Sequence, residues 1–192
     1  MQTSKRIVIF ASGSGTNAER IATFFKEKKH VEVSLVLSNN PKAKVLDRAK
    51  NLKIPAISFN RAAFYDTDHI KNIVENSNPD LIVLAGFLWL FPEPILEAFP
   101  NKVINIHPAL LPDFGGKGMY GKRVHNAVIA AAKGESGITI HYVTPEYDKG
   151  SIIFQAKTEV TEKDTPETLA EKIHELEYAH FPEVIEKLLE ED

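Results

Sequence analysis

Short apolar runs, each closed by polar, Gly or Pro residues, recur along the first half of the chain with helical patterns between them. This alternation restricts the fold more than any other feature. Ile7–Ala11 ends at Ser12-Gly13-Ser14-Gly15, Val31–Leu37 at Ser38-Asn39-Asn40-Pro41, Pro55–Phe59 at Asn60, Leu81–Ala85 at Gly86, and Val103–Ile106 at His107-Pro108. Between them, Ala18, Ile21, Ala22 and Phe25 keep helical spacing, as do Val45, Leu46 and Ala49. Asn60 is the expected N-cap of one longer helix carrying Phe64, Ile70, Ile73 and Val74. Strand alternating with helix means βαβ units and a parallel sheet, and the all-apolar Leu81–Ala85 calls for cover on both of its faces.

Beyond residue 110 the pattern changes. Phe114–Gly121 reads F-G-G-K-G-M-Y-G, a glycine-rich loop, and a helix through Val124, Val128 and Ala131 is expected to end near Gly134. Ile138–Val143 and Ile152–Ala156 flank the turn sequence Thr144–Gly150, which predicts an antiparallel pair added to the sheet. Thr165-Pro166 opens a helix with Thr as cap and Pro at its first position; Leu169, Ile173 and Leu176 form its inner face, and Pro182 is expected to kink or restart it. The expectation is one α/β domain over residues 1–192: a Rossmann-like, mostly parallel twisted sheet with helices on both faces and antiparallel strands in its C-terminal part.

Composition narrows the function classes. A net charge of −3 argues against a nucleic-acid partner, and the absence of cysteine removes thiolate catalysis, disulfides and Cys-based zinc sites. The apolar run Leu81–Phe91 is too short to cross a bilayer, which takes about 20 residues. No membrane association and a cytoplasmic location are the expectation. The 7 histidines show no metal-ligand spacing, so no metal is predicted.

Four polar stretches fall at predicted strand ends, where open α/β sheets bind ligands. Ser12–Asn17 precedes a helix, whose free N–H groups and dipole suit an anion. Gly13, Gly15 and Ala18 satisfy a dinucleotide pattern, but the acid it needs about 20 residues on is replaced by Leu37-Ser38-Asn39-Asn40, so a single phosphate fits better than a dinucleotide or a plain turn. Alternation along V-I-N-I-H-P turns Asn105 and His107 to the same side, and Pro108 ends the pairing there. An amide and an imidazole at a strand end often only cap a turn. Asp148 in Tyr147-Asp148-Lys149-Gly150 would ordinarily bond its own backbone; beside a histidine it would orient the ring and raise its pKa from about 6.5. Leu88-Trp89-Leu90-Phe91 reads as core, or as an apolar slot for an aromatic heterocycle. Glu177, at the edge of its helix's apolar face, either reaches solvent or accepts from sugar hydroxyls.

Taken together, S-G-S-G-T-N, L-A-G-F-L-W-L-F, I-N-I-H-P-A-L-L-P and H-Y-V-T-P-E-Y-D-K-G resemble the phosphoribosylglycinamide formyltransferases, the glycinamide ribonucleotide branch of the folate-dependent formyltransferase family. The resemblance runs from about residue 5 to about residue 185. It implies an enzyme of purine synthesis that moves a formyl group from 10-formyltetrahydrofolate, a co-substrate, to the amine of 5′-phosphoribosylglycinamide. It implies catalytic roles for Asn105, His107 and Asp148, with His107 protonated, held so by Asp148, and paired with Asn105 on the formyl oxyanion. By the same resemblance Gly13, Ser14, Gly15, Thr16 and Asn17 hold the phosphate and Glu177 the ribose. Arg61, Leu88, Trp89, Leu90, Phe91, Asn105, Thr144, Pro145, Glu146, Tyr147 and Asp148 surround the folate. Trp89 stands where many members carry Arg, and the loop Asp113–Gly121 is longer and richer in glycine than in the pattern, so its contacts are not carried over. The alternatives are a tRNA-directed formyltransferase or a formyltetrahydrofolate hydrolase, both expected to need a further domain, and a non-catalytic nucleotide-binding module. Partners are small molecules, with a monomer or homodimer expected.

Overall fold

The computed structural model describes residues 4–28 and 30–190, so the expected domain limits at 1 and 192 lie outside the described residues. Strands β1 (Lys5–Phe10), β2 (Val31–Ser38), β3 (Ala56–Ser58), β4 (Leu81–Leu84) and β5 (Val103–His107) pair in parallel. Strands β6 (Glu135–Tyr142) and β7 (Ile152–Glu159) add on antiparallel, giving the order β3-β2-β1-β4-β5-β6-β7. The helices are α1 (Thr16–Phe25), α2 (Lys44–Asn51), α3 (Arg61–Tyr65), α4 (His69–Ser77), α5 (Glu93–Ala98), α6 (Lys122–Ala130) and α7 (Pro166–Glu190). This is the mixed sheet that the sequence predicts.

Period-two alternation sorts the apolar residues into two cores, one on each face. Ile7 and Ile9 of β1 face α1, α2, α6 and α7, where Ile21, Val124, Val128, Ile173 and Phe181 are buried. Val8 and Phe10 face the opposite way, against Phe64 of α3, Val74 of α4 and Ile95 of α5. Phe10 sits within 5.1 to 6.1 Å of the rings of Phe59, Phe64, Phe87 and Phe91, a cluster of edge and tilted contacts that fixes the segment after β4. Strand order reverses between β1, followed by β2, and its other neighbour β4. The loops leaving the carboxyl ends of β1 and β4 therefore diverge and open a crevice.

Several expectations are corrected. The single helix after Asn60 is two. Asn60 does cap α3, accepting from Ala63 N–H at 2.9 Å, but Asp66-Thr67-Asp68 breaks the pattern, with Thr67 Oγ1 accepting from His69 N–H. Short polar side chains compete there for backbone groups that a helix would use. Helix α6 stops at Ala130, short of the expected end near Gly134, and Ala131 lies exposed as its C-cap. Helix α5 is not read from the sequence, being short and rich in proline. Helix α7 continues through Pro182 without restarting. Proline deprives the carbonyl four residues back of its partner, and here that carbonyl, on Tyr178, accepts from Arg20 Nε of α1 at 2.9 Å.

Candidate active site

The turn after β1 is shaped by Gly15, which has φ +74° and would drive a Cβ to 2.4 Å from Val45 of α2. Only glycine meets both conditions. Gly13 and Ser14 are thereby left exposed at the mouth of the crevice, ahead of the first turn of α1. Ser12, buried behind them, joins this turn to the one after β4. Its N–H donates to Gly86 C=O and its Oγ accepts from Leu88 N–H, each at 3.0 Å. Asn17 reaches α7, its Nδ2 donating to Glu177 Oε2 at 2.9 Å. Glu177 is 7% exposed, and burial pushes its carboxyl above the usual range against the opposing pull of Asn17 and His174.

Asn105 and His107 leave β5 on one side, as their spacing predicts. The His107 ring is buried, and its Nε2–H donates to Phe114 C=O at 2.8 Å, which commits that nitrogen to the backbone. Its Nδ1 lies 3.6 Å from Asp148 Oδ2, an ion-pair distance too long for a hydrogen bond. Asp148 occupies the left-handed region (φ +55°) in the β6–β7 turn, which is closed so tightly that a Cβ on Gly150 would stand 1.6 Å from Tyr142 C=O. The Asp148 Oδ2 also accepts from Gly116 N–H at 2.8 Å. Burial pushes the Asp148 carboxyl up, but the His141 and His107 rings and the Gly116 N–H together outweigh it and hold the group below the usual carboxylate range.

Asp148 is expected to keep the His107 ring charged, and in the fold two influences on that ring oppose each other. Burial lowers the ring's pKa, Asp148 and the Phe114 carbonyl raise it, His141 lowers it a little more, and the balance lies below the usual value. Desolvation wins because the ring is only 3% exposed. The unliganded ring therefore takes up a proton less readily than an ordinary imidazole, and Nδ1, the nitrogen not bonded to Phe114, stands beside Asp148.

One cavity of about 590 Å³ takes in Gly13–Asn17, Glu177, Leu88–Phe91, Asn105, His107, Thr144 and Glu146–Asp148. Arg61 and Pro145 are not on its wall. The Arg61 guanidinium lies instead over the rings of Tyr65 (4.7 Å) and Trp89 (5.8 Å). Leu88 is 43% exposed while Phe91 is buried, so the apolar segment is core at one end and cavity wall at the other. His141, on the wall, opens the segment H-Y-V-T-P-E-Y-D-K-G but is given no role by the sequence. It sits opposite Asn105 in the β5–β6 register, accepts from Asn105 Nδ2 at 3.1 Å, and has Nε2 3.5 Å from Asp148 Oδ1. His125 and His174 also line the cavity and are likewise unanticipated.

A family model described as formyl transferase matches residues 5–185. This chain belongs to the formyl transferase family. Within the family, phosphoribosylglycinamide formyltransferase of Bacillus subtilis (strain 168) is 39% identical over 192 residues, covering 96% of this chain and 95% of that one. The chloroplastic phosphoribosylglycinamide formyltransferase of Arabidopsis thaliana is 36% identical over 193 residues, which is 97% of this chain but 66% of that one. Solved family structures agree in fold. Phosphoribosylglycinamide formyltransferase from Anaplasma phagocytophilum gives a TM-score of 0.88 at 34% identity over 98% of this chain and 89% of that one. The Bacillus halodurans structure of the same name gives 0.86 at 37% identity over 96% and 95%.

Proposed function

We propose that this chain transfers the formyl group of 10-formyltetrahydrofolate to the amine of 5′-phosphoribosylglycinamide. The observation that carries the reading is the single cavity in which an anion-binding turn, Gly13–Asn17, meets the Asn105, His107 and Asp148 group and the apolar segment Leu88–Phe91. The full-length likeness to relatives that carry this activity by name supports it. The phosphate would lie at the turn and the ribose against Glu177, with the pterin between Leu88–Phe91 and Thr144–Tyr147.

The substrate amine resembles an α-amino group, with a pKa of about 7.7–8.0, so a large neutral fraction exists at physiological pH. Its lone pair attacks the formyl carbon, and the carbonyl π pair moves onto oxygen. Asn105 Nδ2 keeps one N–H beyond the one it gives His141, and that N–H is the donor for the oxyanion. The proton released from the attacking nitrogen passes to His107 Nδ1. Asp148 stabilises the imidazolium as it forms. Collapse breaks the bond from carbon to the folate nitrogen, and His107 returns the proton to that nitrogen, releasing tetrahydrofolate and a neutral ring. No covalent enzyme intermediate is needed.

All the proposed groups come from one chain, so the reading holds for a monomer and for a homodimer. A reducing cytoplasmic setting suits a cysteine-free chain, and no helix among the described residues is long and apolar enough to cross a membrane. The test is incubation with both substrates, following tetrahydrofolate by absorbance and the formylated ribonucleotide by mass. Stoichiometric appearance of both is expected. Deformylation of the folate without formylated ribonucleotide would mean a hydrolase, and no turnover would sink the proposal.

A further inference from the structure

The glycine-rich segment after β5 contributes cations to the cavity. Among the described residues, Lys117 and Arg123 are the lysine and arginine on its wall, and neither has an ion pair. The wall also carries three carboxylates, on Glu146, Asp148 and Glu177. A phosphorylated substrate would bring about two more negative charges at pH 7. The helix dipole at α1 supplies roughly half a charge, which leaves most of that load uncompensated.

We infer that Lys117 and Arg123 close on the substrate's phosphate from the side opposite Gly13–Asn17, making residues 115–123 the second jaw of a phosphate clamp. The inference rests on the ribonucleotide reading of the cavity given above. Face placement selects the phosphate over the carboxylates of a folate tail. Met119 and Val124 pack into the core shared with α1 and α7, the face that carries Asn17 and Glu177. Trp89 and Phe91 of the proposed pterin wall pack into the opposite core. His125, two residues beyond Arg123, shares the cavity wall with His174 and Glu177 of α7, against which α6 packs, so the start of α6 stands on the side of the proposed ribose acid. The Arg123 guanidinium lies 5.0 Å from the centroid of the Tyr120 ring, a contact that orients it without neutralising it. Gly116, Gly118 and Gly121, with φ of +96°, +87° and +50°, hold the segment in backbone that glycine favours while it lines the cavity.

The test measures affinity by calorimetry for phosphoribosylglycinamide and for its dephosphorylated riboside, in the wild type and in Lys117→Met, Arg123→Met and the double variant. Loss of the charge-assisted contacts is expected to weaken ribonucleotide binding by about 10- to 100-fold in the double variant, with riboside affinity and the KM for 10-formyltetrahydrofolate unchanged. Arg123→Lys is expected to recover part of the loss. Equal weakening for ribonucleotide and riboside would overturn the clamp, as would an effect confined to the folate KM, which would assign the cations to the folate tail. Unchanged ribonucleotide affinity would overturn it as well. A wild type that binds no ribonucleotide would instead overturn the parent reading of the cavity.

Discussion

His107 and Asp148 face each other at 3.6 Å without a hydrogen bond, while the far nitrogen of the ring is held by the Phe114 carbonyl at 2.8 Å. The pair is thus aimed but not saturated. In the proposed mechanism Nδ1 takes the substrate proton, and the carboxylate is near enough to stabilise the resulting charge.

Replacing His107 with Ala removes the proton carrier. Turnover should fall by about 10²–10⁴, the range for a positioned acid–base group, while ribonucleotide affinity stays near wild type. Steady-state kinetics with calorimetry checks both. Near-normal turnover would take His107 out of the chemistry.

Asp148→Asn should lower the His107 pKa further, because the carboxylate is the strongest influence raising it. Protonation of the free enzyme inactivates the base, so kcat/KM drops on the acid side. In the variant that drop should move to lower pH, alongside a reduced maximum. Ring titration by NMR reads the shift directly, and an unmoved or rising pKa would contradict the assigned contact.

Glu177→Gln separates stability from binding. The Glu177 pKa is raised in the fold, so the folded state binds the proton more tightly than the unfolded chain. Its charge therefore costs stability as pH rises above about 4.5. Thermal unfolding should show the variant more stable than wild type at pH 8 and equal to it at pH 4. Its ribonucleotide affinity should fall at pH 8, by about tenfold for loss of charged acceptance.

His125 is 4% exposed and its Nδ1 has no hydrogen-bond partner. Burial, aided by His174 and His107, depresses its pKa. A depressed histidine pKa means the unfolded chain binds the proton better, so stability is lost as pH falls below about 6.5. His125→Gln should flatten the decline in Tm between pH 6.5 and 5. An unchanged slope would show that other groups set it.

Gly15→Ala imposes both a left-handed backbone and a contact with Val45. A destabilisation above about 1 kcal/mol is expected, together with weakened ribonucleotide binding. Denaturant unfolding and calorimetry measure the two effects.

The strands and the turns that carry Gly13–Asn17, Asn105 and Asp148 were legible because apolar runs and turn residues are local signals. His141 was not. In I-T-I-H-Y it reads as an ordinary strand residue, and it becomes part of the site only through the register that sets it against Asn105. The break between α3 and α4 lay in plain sight at Asp66-Thr67-Asp68, where apolar periodicity on either side masked the turn chemistry. The partner that the Tyr178 carbonyl finds beside Pro182 is Arg20, more than 150 positions earlier in the chain, a pairing no local pattern announces. The sign of the His107 shift turns on how completely the ring is enclosed, a property of the packed molecule and not of any motif.

Ser12 links the turns after β1 and β4 through two bonds, to Gly86 and to Leu88. The stations proposed for nucleophile and one-carbon donor therefore stand on a common foundation of main chain. An insertion in either turn would shift its counterpart, so the gap the reacting atoms must cross is fixed by backbone lengths and cannot be retuned by exchanging side chains in one half of the crevice.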